Sequence, residues 1–162
     1  MFPITIIKRW LTAALLGAAL AGRVHAAELA VGDPVPAFSA KDQFGKEFQS
    51  RSGLRFLLLG FEMSASKAAN GRLAGLGAGW LEQQHAAYVL DIHTMPAVAR
   101  FFALPKMRKY PQRIVLGEDE KLLAAFPRKP DRITVLMLTP EGRVQEIRYW
   151  NPVADAPGMV LK

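Results

Sequence analysis

Residues 55–70 read RFLLLGFEMSASKAAN, and this stretch decides the fold. Arg55 to Phe61 is a continuous apolar run that does not alternate with polar residues. Alternation marks a strand with one wet face, whereas a short continuous run suits a strand covered on both faces. The chain then changes character. Ser64 and Ser66 are good helix N-caps, because a serine hydroxyl can accept a hydrogen bond from a backbone N–H that the first turn leaves unpaired. A helix is expected from Ser64 or Ser66 to about Gln84, with Leu73, Leu76, Trp80 and Leu81 on one face. Gly71, Gly75, Gly77 and Gly79 each weaken it by up to ~1 kcal/mol, so irregularity is expected there.

Outward from this pair, the elements alternate. Upstream, VGDPVPAF (31–38) holds two prolines that forbid a helix and favour an extended path. SAKDQFGKEF (39–48) reads as a β-hairpin around Asp42-Gln43-Phe44-Gly45, with Gly45 free to take the positive φ of the turn. Downstream, Tyr88 to Ile92 is a second strand. Met95 to Leu104 has helical periodicity through Val98, Phe101 and Phe102, and Pro105 and Pro111 close the region. Arg113 to Leu116 reads as a short strand and Asp119 to Phe126 as a short helix. RITVLMLT (132–139) is a β-branched strand, Pro140-Glu141-Gly142 a turn, and Val144 to Trp150 a closing strand. Strand–helix–strand implies a parallel pair, and the terminal hairpin adds antiparallel strands. The expected class is α/β: three layers, α/β/α, with a mixed central sheet and an N-terminal β-hairpin.

The chain has 162 residues, 51% of them hydrophobic and 22% charged, which suits one folded domain. Its formal charge is +7. Lys8, Arg9 and Arg23 lie in an N-terminal segment without acids, leaving a mild positive balance in residues 27–162. That falls short of the clustered basic footprint of a nucleic-acid binder, so no nucleic-acid partner is expected. Cysteine is absent, which excludes disulfides, thiolate zinc sites, a cysteine nucleophile and a lipid-modified cysteine anchor. The positive start through Arg9, the apolar run Trp10 to Ala21 and Val24-His25-Ala26 have the three parts of a secretory signal. Residues 1–26 are therefore expected to be a signal peptide cut after Ala26, with residues 27–162 as the domain. The destination is the periplasm or the exterior, and contact with the membrane is transient, through the signal.

VGDPVPAF with KDQFGKEF, then RFLLLGF, then TVLMLTPEGRV stand in the order of the opening hairpin, the strand before the redox motif and the closing hairpin of the thioredoxin-like redoxin superfamily, which the mature chain resembles. The resemblance implies that fold and a functional groove at the start of the first long helix. Redoxins carry there a Cys-x-x-Cys or a single peroxidatic cysteine, whose thiolate the helix end stabilises. Here the place reads Met63-Ser64-Ala65-Ser66-Lys67-Ala68-Ala69. One register puts Met63 and Ser66 at the cysteine positions, another Ser66 and Ala69. The cis-proline usual opposite the motif falls near Ile133, within Arg132-Ile133-Thr134, and Pro130 stands three residues too early. Loss of both hallmarks resembles a cysteine-less exported branch, the YtfJ-type periplasmic proteins. That resemblance implies fold and location; the fold kept without its redox residues points to a binding or accessory module, with a periplasmic protein or peptide as partner, rather than a thiol-disulfide oxidoreductase or peroxiredoxin. The candidate groove is Met63, Ser64, Ser66 and Lys67, with Arg132 and Ile133 opposite. No catalytic residue, metal ligand or cofactor is assigned.

Other chemistries compete with plainer roles. Ser64 or Ser66 as a hydrolase nucleophile needs a base, and only His85 and His93 remain after residue 26; capping is the simpler role. Met63, His85, His93, Met95 and Met107 offer soft thioether and imidazole donors suited to Cu(I), although methionines on apolar faces usually fill cores. Lys106, Arg108, Lys109 and Arg113 around Tyr110 form the densest basic stretch, and Arg128, Lys129 and Arg132 another. Either could meet an anionic partner, lipid headgroups or a cell-wall component, against the default of solvated loop charge. The open helix start could hold an anion.

Overall fold

A computed structural model describes residues 27–50 and 53–162; the expected signal peptide and its cut after Ala26 lie outside the described residues. Seven strands form one sheet: β1 Ser39–Asp42, β2 Glu47–Gln49, β3 Phe56–Gly60, β4 Ala86–Asp91, β5 Val115–Gly117, β6 Ile133–Leu138 and β7 Val144–Trp150. Their order across the sheet is β2-β1-β5-β4-β3-β6-β7. β4 runs parallel to β3 and to β5, and the remaining pairings are antiparallel. The apolar runs singled out in the sequence lie side by side in the sheet interior, with Leu58 of β3 opposite Val135 of β6.

Every residue of β3 is buried, because its two faces feed two cores. Phe56 and Leu58 face one core with Tyr88, Leu90 and Val135. Leu57 and Leu59 face the other with Val89, Leu136 and Phe126. This is the period-2 alternation of strand side chains, hidden in sequence because both faces are dry. Helices α1 (Met63–Ala74), α2 (Trp80–Gln83) and α3 (Ala97–Met107) supply residues to the first core. Helix α4 (Glu120–Ala124) and the extended segment before β1 cover the second. The result is the expected α/β/α layering. The described residues hold all seven strands and both cores.

Three expectations need correction. Serine does not cap α1: its N-cap is Glu62, without a side-chain cap, and Ser66 lies inside the helix, buried. The helix does not run to Gln84. It ends at Ala74, the glycine-rich turn takes Gly77 to φ +92°, and the chain re-enters helix only at Trp80. Backbone freedom at these glycines outweighs the periodicity of the leucines, and Leu76 is exposed. In the third case the helix forms, but Pro105 lies within α3 rather than closing it, and Val98, Phe101 and Phe102 point outward.

Polar groups lock the loops. Buried Gln43 donates through Nε2 to the Gln112 carbonyl at 2.8 Å and accepts from the Ile114 N–H at 2.8 Å. This ties the hairpin turn to the segment entering β5. Asp42 accepts from the N–H groups of Phe44 and Lys46 and pairs with Arg113 at 3.0 Å. After β7 the chain folds back: buried Trp150 donates its indole N–H to the Asp155 carbonyl at 3.0 Å, and a 3₁₀ turn, Pro157–Met159, leads to buried Leu161.

Candidate functional site

The carboxyl ends of β3 and β4 open between α1 and α3. In open α/β sheets this end is where ligands bind. A cleft of about 630 Å³ lies there. Its apolar walls include Phe61, Leu90, Met95 and Met107, and its polar groups include Glu62, Ser66, Lys67, Asn70 and Lys106. A second depression of about 510 Å³ lies at the opposite strand ends, beside Glu82 and His85.

Helix α1 turns polar side chains inward at the cleft. Ser66 and Asn70, one turn apart, are both buried. Asn70 Oδ1 accepts from Gln112 Nε2 at 3.1 Å. Ser66 Oγ has no well-formed hydrogen bond, and neither has the Tyr88 hydroxyl. Both crowd Gly60: a Cβ there would stand 2.5 Å from Ser66 Oγ and 3.1 Å from the Tyr88 oxygen. Only glycine lets β3 pass this close to α1. Burial pushes the Tyr88 phenol well above its ordinary value, and the adjacent Ser66 hydroxyl offsets only part of that rise. The phenol is therefore a neutral donor at physiological pH.

The loop before β6 meets the helix start. Ser64 Oγ donates to Asp131 Oδ1 at 3.3 Å, and the Asp131 N–H donates to Glu62 Oε2 at 3.0 Å. Asp131 adopts φ +56°, a left-handed conformation that aspartate tolerates better than most residues. Arg132 donates back to the Asp131 carbonyl at 2.9 Å. The predicted groove residues thus divide. Met63, Ser66 and Lys67 line the cleft. Ser64 joins helix and loop, and Arg132 stays beside that junction. Ile133 is buried in the core, opposite Gly60 and Trp150 in the sheet.

Sequence reasoning missed Asp91, the last residue of β4. Its side chain is 5% exposed, lies 2.6 Å from His93 Nδ1 and 3.7 Å from the Arg128 guanidinium. That guanidinium also stacks 4.1 Å from the centre of the Phe61 ring. A carboxylate this deep needs such partners to remain in the fold. The sequence signal was a lone acid closing an apolar strand two residues before a histidine. His93 therefore belongs to a structural pair, and neither serine is hydrogen-bonded to a histidine among the described residues. Of the soft donors, Met63, Met95 and Met107 share the cleft, while His85 lies at the opposite strand ends.

No protein-family model matches the chain, and no curated protein is similar to it in sequence. Solved structures do match in shape. The thioredoxin domain of a thiol-disulfide oxidoreductase from Bacteroides vulgatus superposes with a TM-score of 0.55 at 14% identity, over 83% of this chain and 100% of that one. A peroxiredoxin-like protein from Aquifex aeolicus gives 0.55 at 10% identity, over 85% and 86%. A peroxidoxin from Mycobacterium tuberculosis gives 0.50 at 18% identity, over 75% and 86%. At such identities the likeness establishes architecture alone: the chain has a thioredoxin-like fold, and it has no cysteine.

Proposed function

We propose that the protein is an exported, non-catalytic binding or accessory module of the YtfJ type, active in the periplasm after loss of residues 1–26. It holds a peptide segment of a periplasmic partner in the cleft between α1 and α3. The observation that carries this reading is the cleft itself: about 630 Å³, largely apolar, at the helix start where the resemblance puts redox cysteines, here lined by Met63 and Ser66. Apolar walls with a few buried polar groups are the usual make-up of a ligand site. Buried Ser66 and Asn70 are the polar groups beneath this cleft. A photo-crosslinker at Met63 is expected to trap a partner in periplasmic extract. One at Gln145, exposed on β7, is not, and Ala99→Trp, which narrows the cleft, should reduce the yield. Equal labelling from both positions would remove the support for the cleft. Turnover of insulin disulfides or peroxide by the pure protein would overturn the non-catalytic reading outright.

One observation favours a second reading, a copper-binding accessory protein: Met63, Met95 and Met107 line the same cleft, and thioethers suit Cu(I). Titration with Cu(I) under anaerobic conditions separates the two. Stoichiometric binding lost in Met63→Ala supports the metal reading; weak, non-saturating uptake by both forms rejects it.

A further inference from the structure

Helix α3 is apolar on two sides. Ala103, Leu104 and Met107 pack against the core. On the outer side Val98, Phe101 and Phe102 are 67%, 72% and 63% exposed. They stand at i, i+3 and i+4, which is one helical face, and exposed Pro105 continues it. The two phenyl rings meet edge to face at 5.4 Å, forming one ridge. The charge along this stretch of chain has a single sign. From Ile92 to Gly117 there is no Asp or Glu, while Arg100, Lys106, Arg108, Lys109 and Arg113 all fall within that span. Arg100 pairs with Glu118 and Arg113 with Asp42. Among the described residues, Lys106, Arg108 and Lys109 at the C-terminal end of α3 have no carboxylate within ion-pair distance. Arg100 also donates to the carbonyls of Ile92 and Met95 at 2.9 Å each, which fixes how the helix leaves β4.

We propose that α3 docks the protein on the surface of an anionic lipid bilayer. Val98, Phe101, Phe102 and Pro105 enter the headgroup region, and Lys106, Arg108 and Lys109 lie against lipid phosphates. Amphipathic helices with aromatic apolar faces and basic flanks lie in the interface in this way. At 11 residues α3 is far too short to span. Charge complementarity selects the lipid over a second copy: the same stretch of another molecule brings Lys106, Arg108 and Lys109 again, and no acid of that stretch to answer them. With only three large apolar side chains, binding is weak, reversible and dependent on salt. Membrane contact thus extends beyond the transient passage expected of the N-terminal segment.

Vesicle co-sedimentation of residues 27–162 tests this. Binding to phosphatidylglycerol-rich vesicles at low salt is expected to exceed binding to pure phosphatidylcholine by about tenfold and to fall with added salt. Phe101→Ser with Phe102→Ser, and separately Lys106→Glu with Lys109→Glu, should each lower it by about tenfold. All four positions are exposed, and unchanged circular dichroism checks the fold. Equal binding to both lipids, or full binding by either double variant, overturns the proposal. So does a dimer in sedimentation equilibrium that Phe101→Ser dissolves, which gives the ridge to a second copy.

Discussion

The two helices that wall the cleft invert the usual distribution of polarity in opposite senses. α1 buries Ser66 and Asn70 against the sheet. α3 leaves Phe101 and Phe102 in water while small Ala103 takes the inward position. A helix that served only to cover the sheet would do neither, because burying polar groups and exposing aromatic ones both cost free energy. The two walls thus differ: α1 forms the polar floor of the cleft, and α3 presents an apolar ridge outward.

Substitutions can break or sharpen that contrast. The largest effect is expected from Leu73→Ala on the buried face of α1, a loss of about 2–5 kcal/mol in urea-unfolding stability. A cost below 1 kcal/mol would mean that α1 is not packed as described. Gly60→Ala comes next, at up to about 3 kcal/mol, since its Cβ meets Ser66 Oγ. Pairing it with Ser66→Ala should restore part of the loss; strict additivity in the cycle would show that the two sites do not touch. Asn70→Ala removes the side-chain acceptor of Gln112 Nε2 but leaves the Asn70 carbonyl at 3.3 Å, and should cost about 1 kcal/mol.

Alkaline pH gives a smaller test on the same face. The folded state holds the Tyr88 phenol above its ordinary value near 10. The unfolded chain therefore releases that proton first, so this contribution is complete below pH 10 and declines as pH rises above it. Tyr88→Phe should flatten the decline, and identical alkaline melting curves for both forms would contradict it. Smallest of all, Phe101→Ser on α3 should change stability by no more than about 0.5 kcal/mol. A large loss there would show that the ridge is covered within the fold.

Much of the architecture was legible in the sequence because it rests on local patterns. RFLLLGF and RITVLMLT lack alternation because both faces are buried, and they lie side by side in the sheet. The hairpin at Asp42–Gly45 was readable from its glycine, which takes φ +80°. Helix polarity was not readable in the same way. The periodicity of Val98, Phe101 and Phe102 locates an apolar face but does not say which way it points, since Ala99, Ala103 and Met107 draw a second stripe on the other side. Serines at a helix start suggested caps; Glu62 took that place, and the tight approach at Gly60 drew Ser66 inward. Met63, Ser66 and Lys67 could be grouped from the sequence because they belong to one helix, and they line one cleft. Asp91, Asn70 and the left-handed turn at Asp131 become visible only when strands far apart in the chain meet.

The packing of Trp150 gives these measurements a spectroscopic handle. Its indole is fully enclosed and its N–H is satisfied by Asp155, so folded protein should emit at short wavelength and shift to the red when β7 detaches. Trp80, half-buried beside the glycine-rich turn, samples a different environment. Replacing it with phenylalanine would leave Trp150 as the one tryptophan of residues 27–162, so emission excited at long wavelength would report the closing strand.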